Sequence, residues 1–136
     1  MLCSVLSLLR HINTPNPILG RLCRPPATGV GVDYDADLIK TAGLESTRQK
    51  LSVDWLIYDF NADLEDIVGQ LLSAHNVTHV FVALVPKQLA LPAVRKILTS
   101  LCKRGALVCC YKYHPLYLKA ARSDVLMNLV VYDETS

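Results

Sequence analysis

No acidic side chain occurs in the first 32 residues of this 136-residue chain. All twelve Asp and Glu lie from Asp33 onward, whereas Arg10, Arg21 and Arg24 precede it. No Cys-x-x-Cys pair occurs among Cys3, Cys23, Cys102, Cys109 and Cys110, and their number is odd. That excludes a zinc ribbon or a dithiol redox motif. Thiols set in apolar runs fit free, buried cysteines in a reducing compartment. His11, His75, His79 and His114 share no ligand spacing with the cysteines, so no metal site is expected. The N-terminal apolar stretch is broken by Arg10, His11 and Asn13, which makes it too short for a membrane span. No internal repeat or low-complexity segment is present. A formal net charge of +2 supplies no electrostatic argument for a nucleic-acid partner.

What is present is enough apolar material for one packed domain, since 51% of the residues are hydrophobic. The texture divides near Pro25-Pro26, giving a leader or arm over residues 1–27 and a domain over 28–136. The acid-free leader, with its arginines, Ser4, Ser7 and leucines, resembles a mitochondrial transit peptide. An irregular arm is the alternative, so the compartment is mitochondrion or cytoplasm. Leu2, Val5, Leu6 and Leu9 fall at helical spacing and predict one apolar helix face there.

From residue 28 apolar runs alternate with amphipathic stretches. Gly29 to Val32 predicts a strand ending at Asp33, and Asp35 or Asp37 is a candidate cap for a helix through Leu38, Ile39 and Ala42. Gly43 argues that this helix is short. Val53 to Tyr58 predicts a strand ending at Asp59. Asn61 caps the next helix, with Asp63, Glu65 and Asp66 near its positive end. Leu64, Ile67, Val68, Leu71 and Leu72 form its apolar stripe, and Asn76 ends it.

Val80 to Val85 is apolar on both faces, as a parallel strand covered on both sides requires, and Pro86 stops it. Pro92 opens a helix with Val94, Ile97, Leu98, Leu101 and Cys102 as its core stripe, closed by Lys103-Arg104-Gly105. Ala106 to Tyr111 predicts another strand, followed by a loop with Tyr113, His114, Pro115 and Tyr117. Val125 to Tyr132 predicts the last strand. Strand and helix in alternation imply right-handed crossovers and a mostly parallel sheet, an α/β fold.

In such sheets ligands bind beyond the carboxyl ends of the strands, near the point where strand order reverses. Asp33 and Asp59 each end a strand. Either acid serves as a helix cap or as an acceptor for a ribose diol or an exocyclic amine. Leu84-Val85-Pro86 is an apolar strand end that offers plain core or a ligand wall.

Taken together, this order of strand-end acids resembles the class I S-adenosylmethionine-dependent methyltransferases over about residues 28–133. Within them it is most similar to a mitochondrial protein-lysine methyltransferase-like subgroup. The resemblance implies S-adenosyl-L-methionine as cofactor, a Rossmann-like sheet, and methyl transfer to a protein side chain, lysine being possible. Gly31, Asp33 and Tyr34 then correspond to the ribose and adenine contacts of the second strand. Asp59 and Phe60 correspond to the adenine contacts after the third, and Leu84 and Val85 to the fourth-strand region near the methyl group.

The family begins with a strand running into an acidic, glycine-rich loop that lets backbone N–H groups approach the cofactor. Residues 10–17 contain two prolines and no glycine, and Gly20 stands alone. The expectation is therefore a partial methyltransferase sheet, N-terminally truncated, with the first strand and glycine-rich loop missing. Helical spacing argues against Ser4 to Leu9 as a substitute strand. Two other readings stay open. One is an inactive remnant or pseudoenzyme acting through a partner. The other is a nicotinamide-binding α/β domain, which also places an acid after its second strand.

Overall fold

The computed structural model describes residues 4–9, 28–59, 67–73 and 76–136. The elements in chain order are β1 (Ser4–Leu9), β2 (Thr28–Asp33), α1 (Ala36–Arg48), β3 (Val53–Ile57), α2 (Ile67–Ser73) and β4 (Val77–Ala83). Then follow α3 (Pro86–Leu89), α4 (Pro92–Lys103), β5 (Leu107–Tyr111), β6 (Arg122–Asp124) and β7 (Leu129–Tyr132). Among the described residues the strands form one sheet in the order β3-β2-β1-β4-β5-β7-β6. β1 to β5 run parallel, and β7 and β6 close the sheet antiparallel. The α/β class and the mostly parallel sheet stand as the sequence predicts.

The expected gap at the first strand is corrected. Ser4–Leu9 lies between β2 and β4, pairing Leu8 with Val32 and Leu9 with Ala83. Helical spacing misled because six apolar-rich residues satisfy more than one periodicity, and strand pairing on both sides decides between them. Without β1, β2 and β4 would be separated by an empty strand width, about 10 Å between their axes. β1 therefore joins the two halves of the sheet.

Asp35 is the N-cap of α1, its carboxylate accepting from the backbone N–H groups of Asp37 and Leu38 at 2.9 and 3.2 Å. Gly43 does not shorten that helix, which runs on to Arg48. A Cβ at Gly43 would lie 3.9 Å from Cδ1 of Trp55 on β3, an ordinary packing distance. The Asn61 cap, Asp63, Leu64, Glu65 and Asp66 lie outside the described residues. Ile67 and Val68 of α2 are both buried, and Asn76, beyond the end of α2 at Ser73, has φ 49°.

α4 buries the predicted stripe of Val94, Ile97, Leu98, Leu101 and Cys102 against the sheet, with Ala93 added. Gly105 follows it at φ +89°, a conformation natural to glycine. These side chains join Val30, Val32, Val80, Val82 and Val108 in one core on the α2–α4 side.

Two boundaries differ from expectation. β4 ends at Ala83, and Pro86, rather than merely stopping a strand, begins the short α3, where a missing N–H costs nothing. The predicted last strand is a hairpin. Residues 125–128 form its turn, Asn128 at φ 56°, with Asp124 Oδ1 accepting from Met127 N–H at 3.0 Å.

Candidate functional site

The five parallel strands end on a common edge. From β1 the sheet grows through β2 and β3 to one side and through β4 and β5 to the other. The reversal lies between β1 and β4, where Leu9 pairs with Ala83. A crevice at such a reversal is where open α/β sheets hold ligands.

Asp33 is the last residue of β2 and is 6% exposed. Its Oδ1 accepts from Asp35 N–H at 2.9 Å, and its backbone carbonyl accepts from Tyr58 N–H at 2.9 Å. The first bond sets the turn into α1; the second fastens the end of β3 to that of β2. A carboxylate offers about four acceptor sites, and the turn uses one of them. Tyr34 follows at 45% exposure, and Asp59, exposed, lies two residues past β3. Asp33, Tyr34 and Asp59 are thus brought together on the β2–β3 half of the edge. Phe60 lies outside the described residues.

Leu84 and Val85 stand beyond β4, on the other side of β1. Leu84 turns its side chain into the core at 2% exposure, so what it offers the edge is backbone. Val85 is 39% exposed and its N–H donates to Gln88 Oε1 at 3.3 Å.

Gly31 has a packing reason of its own. It is buried inside β2 opposite Trp55, and a Cβ there would lie 2.1 Å from Cε3 and Cζ3 of that indole. The residue is glycine to admit a tryptophan. No ligand can approach the volume that the ring fills.

A segment that the sequence showed only as a loop crosses the β4–β5 half. Lys112, in the left-handed region at φ 69°, donates its N–H to Asn128 O at 2.9 Å, which turns the chain at the end of β5. The chain returns over α3 and α4, where Tyr117 Oη donates to Leu89 O at 2.9 Å and its ring lies under the Arg95 guanidinium at 5.3 Å. Pro115 is buried beneath it. Only the aromatic spacing of Tyr111, Tyr113 and Tyr117 hinted at this strap.

Cys102 and Cys110 are buried in the core. Burial pushes Cys102 up to about 11 and Cys110 up to about 12, so both stay protonated and unreactive near neutrality. Iodoacetamide at pH 8 is expected to spare Cys102 and Cys110 in the folded chain and to label them in denaturant, as read by mass spectrometry. The same shifts give a pH dependence. In the unfolded chain these thiols ionise near the ordinary thiol value, about 8.5, and in the fold they stay neutral well above it. Their contribution to stability is complete below that value and is lost as pH rises toward 11–12.

No group of three or more His, Cys, Asp or Glu that could hold a metal ion occurs among the described residues. No helix among them is long and apolar enough to cross a membrane.

The fold is shared with known enzymes. An RNA methyltransferase from Salinibacter ruber, solved in complex with S-adenosyl-L-homocysteine, superposes with a TM-score of 0.65 at 21% identity. The match covers 96% of this chain and 78% of that one. A SAM-dependent methyltransferase from Aquifex aeolicus superposes with a TM-score of 0.54 at 17% identity, covering 86% of this chain and 61% of that one. At these identities the likeness is one of fold. No family model matches the sequence, and no curated protein matches it.

Proposed function

We propose that the chain binds S-adenosyl-L-methionine across the carboxyl ends of β2, β3 and β4 and transfers its methyl group to a macromolecule. The observation that carries this reading is the sheet order itself. With β1 in place, the reversal point falls between the buried acid at the end of β2 and the apolar end of β4. Two methyltransferases share that fold, one of them crystallised with the demethylated cofactor.

In this reading Asp33 accepts the ribose hydroxyls, Tyr34 flanks the adenine, and Asp59 accepts from its exocyclic amine. The backbone at Leu84 and Val85 walls the sulfonium end. The cofactor brings an electrophilic methyl group on a charged sulfur. The chain's contribution is alignment of acceptor and methyl, which suffices for large rate gains without a dedicated base.

The segment after β1, Arg10 to Pro17, lacks the glycines that let backbone donors reach the cofactor closely. Affinity is accordingly modest. Calorimetric titration with S-adenosyl-L-homocysteine is expected to give a Kd of about 10–100 μM, roughly 5.5–7 kcal/mol. No heat at millimolar ligand would overturn the enzyme and leave the non-catalytic remnant. A thermal shift with NAD in its place would point to the nicotinamide-binding domain.

A protein side chain such as lysine is the acceptor implied by the sequence resemblance, within the protein-lysine methyltransferase-like subgroup. RNA is the substrate class named for the Salinibacter ruber enzyme. Charge along the edge separates these two.

A further inference from the structure

A net charge of +2 conceals a strong segregation. From Ile67 to Ser123 the sequence carries eight Lys or Arg and no Asp or Glu. Nine acids fall between Asp33 and Asp66, with only Lys40, Arg48 and Lys50 among them. Because the sheet places β2 and β3 on one side of the reversal and β4 and β5 on the other, part of this division falls across the edge among the described residues. The β2–β3 half presents Asp33, Asp35, Asp37 and Asp59. The β4–β5 half presents Lys87 on α3, Arg95 on the first turn of α4, and Lys112 with His114 just past β5. All four are exposed.

Aromatic rings lie among these cations. Tyr111 is 42% exposed and braced by Phe81, with ring centroids 6.3 Å apart and planes 24° from parallel. Tyr113 is 38% exposed, with the Lys112 ammonium 5.5 Å from its centroid. The hairpin turn at the same edge adds Val125 and Leu126, 90% and 98% exposed. Its one acid, Asp124, is engaged by Met127 N–H. Cations that track a phosphate backbone, interleaved with rings that stack on unpaired bases, are the means by which single-stranded nucleic acid is held. An acidic protein segment would use the same cations and leave the rings without a purpose.

We infer that the β4–β5 half of the carboxyl edge docks single-stranded RNA through Lys87, Arg95, Lys112, Tyr111 and Tyr113, presenting a base as the methyl acceptor. The acceptor role rests on the methyltransferase reading above; the docking does not.

The test is fluorescence anisotropy of the full chain with a labelled, unstructured RNA of about 12 nucleotides, alongside a labelled polyglutamate peptide. Binding of the RNA is expected to weaken by about 20-fold between 50 and 200 mM salt, the slope for roughly three phosphate contacts. Lys112→Glu, and independently Lys87→Ala with Arg95→Ala, are each expected to weaken RNA binding tenfold or more with an unchanged circular dichroism spectrum. Lys103→Glu, at the opposite end of α4, is expected to leave it unchanged. Capture of polyglutamate in preference to RNA would overturn the inference in favour of a protein acceptor. Equal losses from Lys112→Glu and Lys103→Glu would overturn the assigned surface. Calorimetry with S-adenosyl-L-homocysteine on the same samples separates the two readings. Cofactor binding without RNA binding defeats this inference alone, whereas RNA binding without cofactor binding defeats the methyltransferase and leaves the docking surface standing.

Discussion

Asp33→Ala is expected to abolish measurable binding of S-adenosyl-L-homocysteine. Two hydrogen bonds from a ribose diol to an ionised carboxylate are worth about 1.5–3 kcal/mol each. Their loss, about 3–6 kcal/mol in all, carries a Kd of about 10–100 μM into or beyond the millimolar range. The alanine variant also loses the bond from Asp35 N–H, so part of its deficit is local disorder at the start of α1. Asp33→Asn separates the two effects. Its amide oxygen still accepts from Asp35 N–H and keeps the turn, but the negative charge and one acceptor are gone. Thermal stability within about 1 kcal/mol of the parent, together with a loss of affinity of tenfold or more, marks a ligand-binding acid. Wild-type affinity in Asp33→Asn would reduce Asp33 to a turn residue.

That ambiguity is also why this position was only half legible in the sequence. An acid after a strand and before a helix serves a turn or a ligand equally well, and here it demonstrably serves the turn. Asp35, two residues later, is a cap and nothing further is needed to explain it. The α4 stripe was legible in full because one face of the helix meets the sheet and the other meets solvent, which forces a periodic sequence. β1 was illegible because six apolar-rich residues fit more than one periodicity, and only pairing with β2 and β4 identifies the strand. The β6–β7 hairpin was hidden by Val125 and Leu126, apolar residues in an exposed turn, with Asn128 the one local signal of the reversal. The charged rim was hidden differently. Acids and bases cancel in the total, and only the strand order shows that they occupy opposite halves of one edge.

Gly31→Ala is expected to cause a large loss of stability. The new Cβ would lie 2.1 Å from two atoms of the Trp55 ring, and that ring is not free to withdraw. Its Nε1–H donates to Ser46 Oγ at 3.0 Å. Ser46, 7% exposed, donates in turn to Ala42 O of the same helix at 2.7 Å. Moving the indole therefore strains β2 against β3 and leaves a buried hydroxyl without its donor. Overpacking costs about 1–3 kcal/mol and an unmade buried hydrogen bond about 1–3 more, so a loss of about 3–5 kcal/mol is expected. For a domain of this size that lowers Tm by roughly 10–20 °C. The single tryptophan of the chain makes the change readable in fluorescence as well as in calorimetry. Gly31→Ala combined with Trp55→Leu should be more stable than the sum of the two single losses, because the smaller side chain removes the clash. The variant also decides what the glycine is for. If it admits Trp55, affinity for S-adenosyl-L-homocysteine stays within about twofold wherever the variant remains folded. A Tm within about 2 °C of the parent combined with lost affinity would return Gly31 to the cofactor and remove the packing explanation. Under the proposed function Gly31 belongs to the scaffold beneath the strand end, and Asp33 is the residue offered to the ligand.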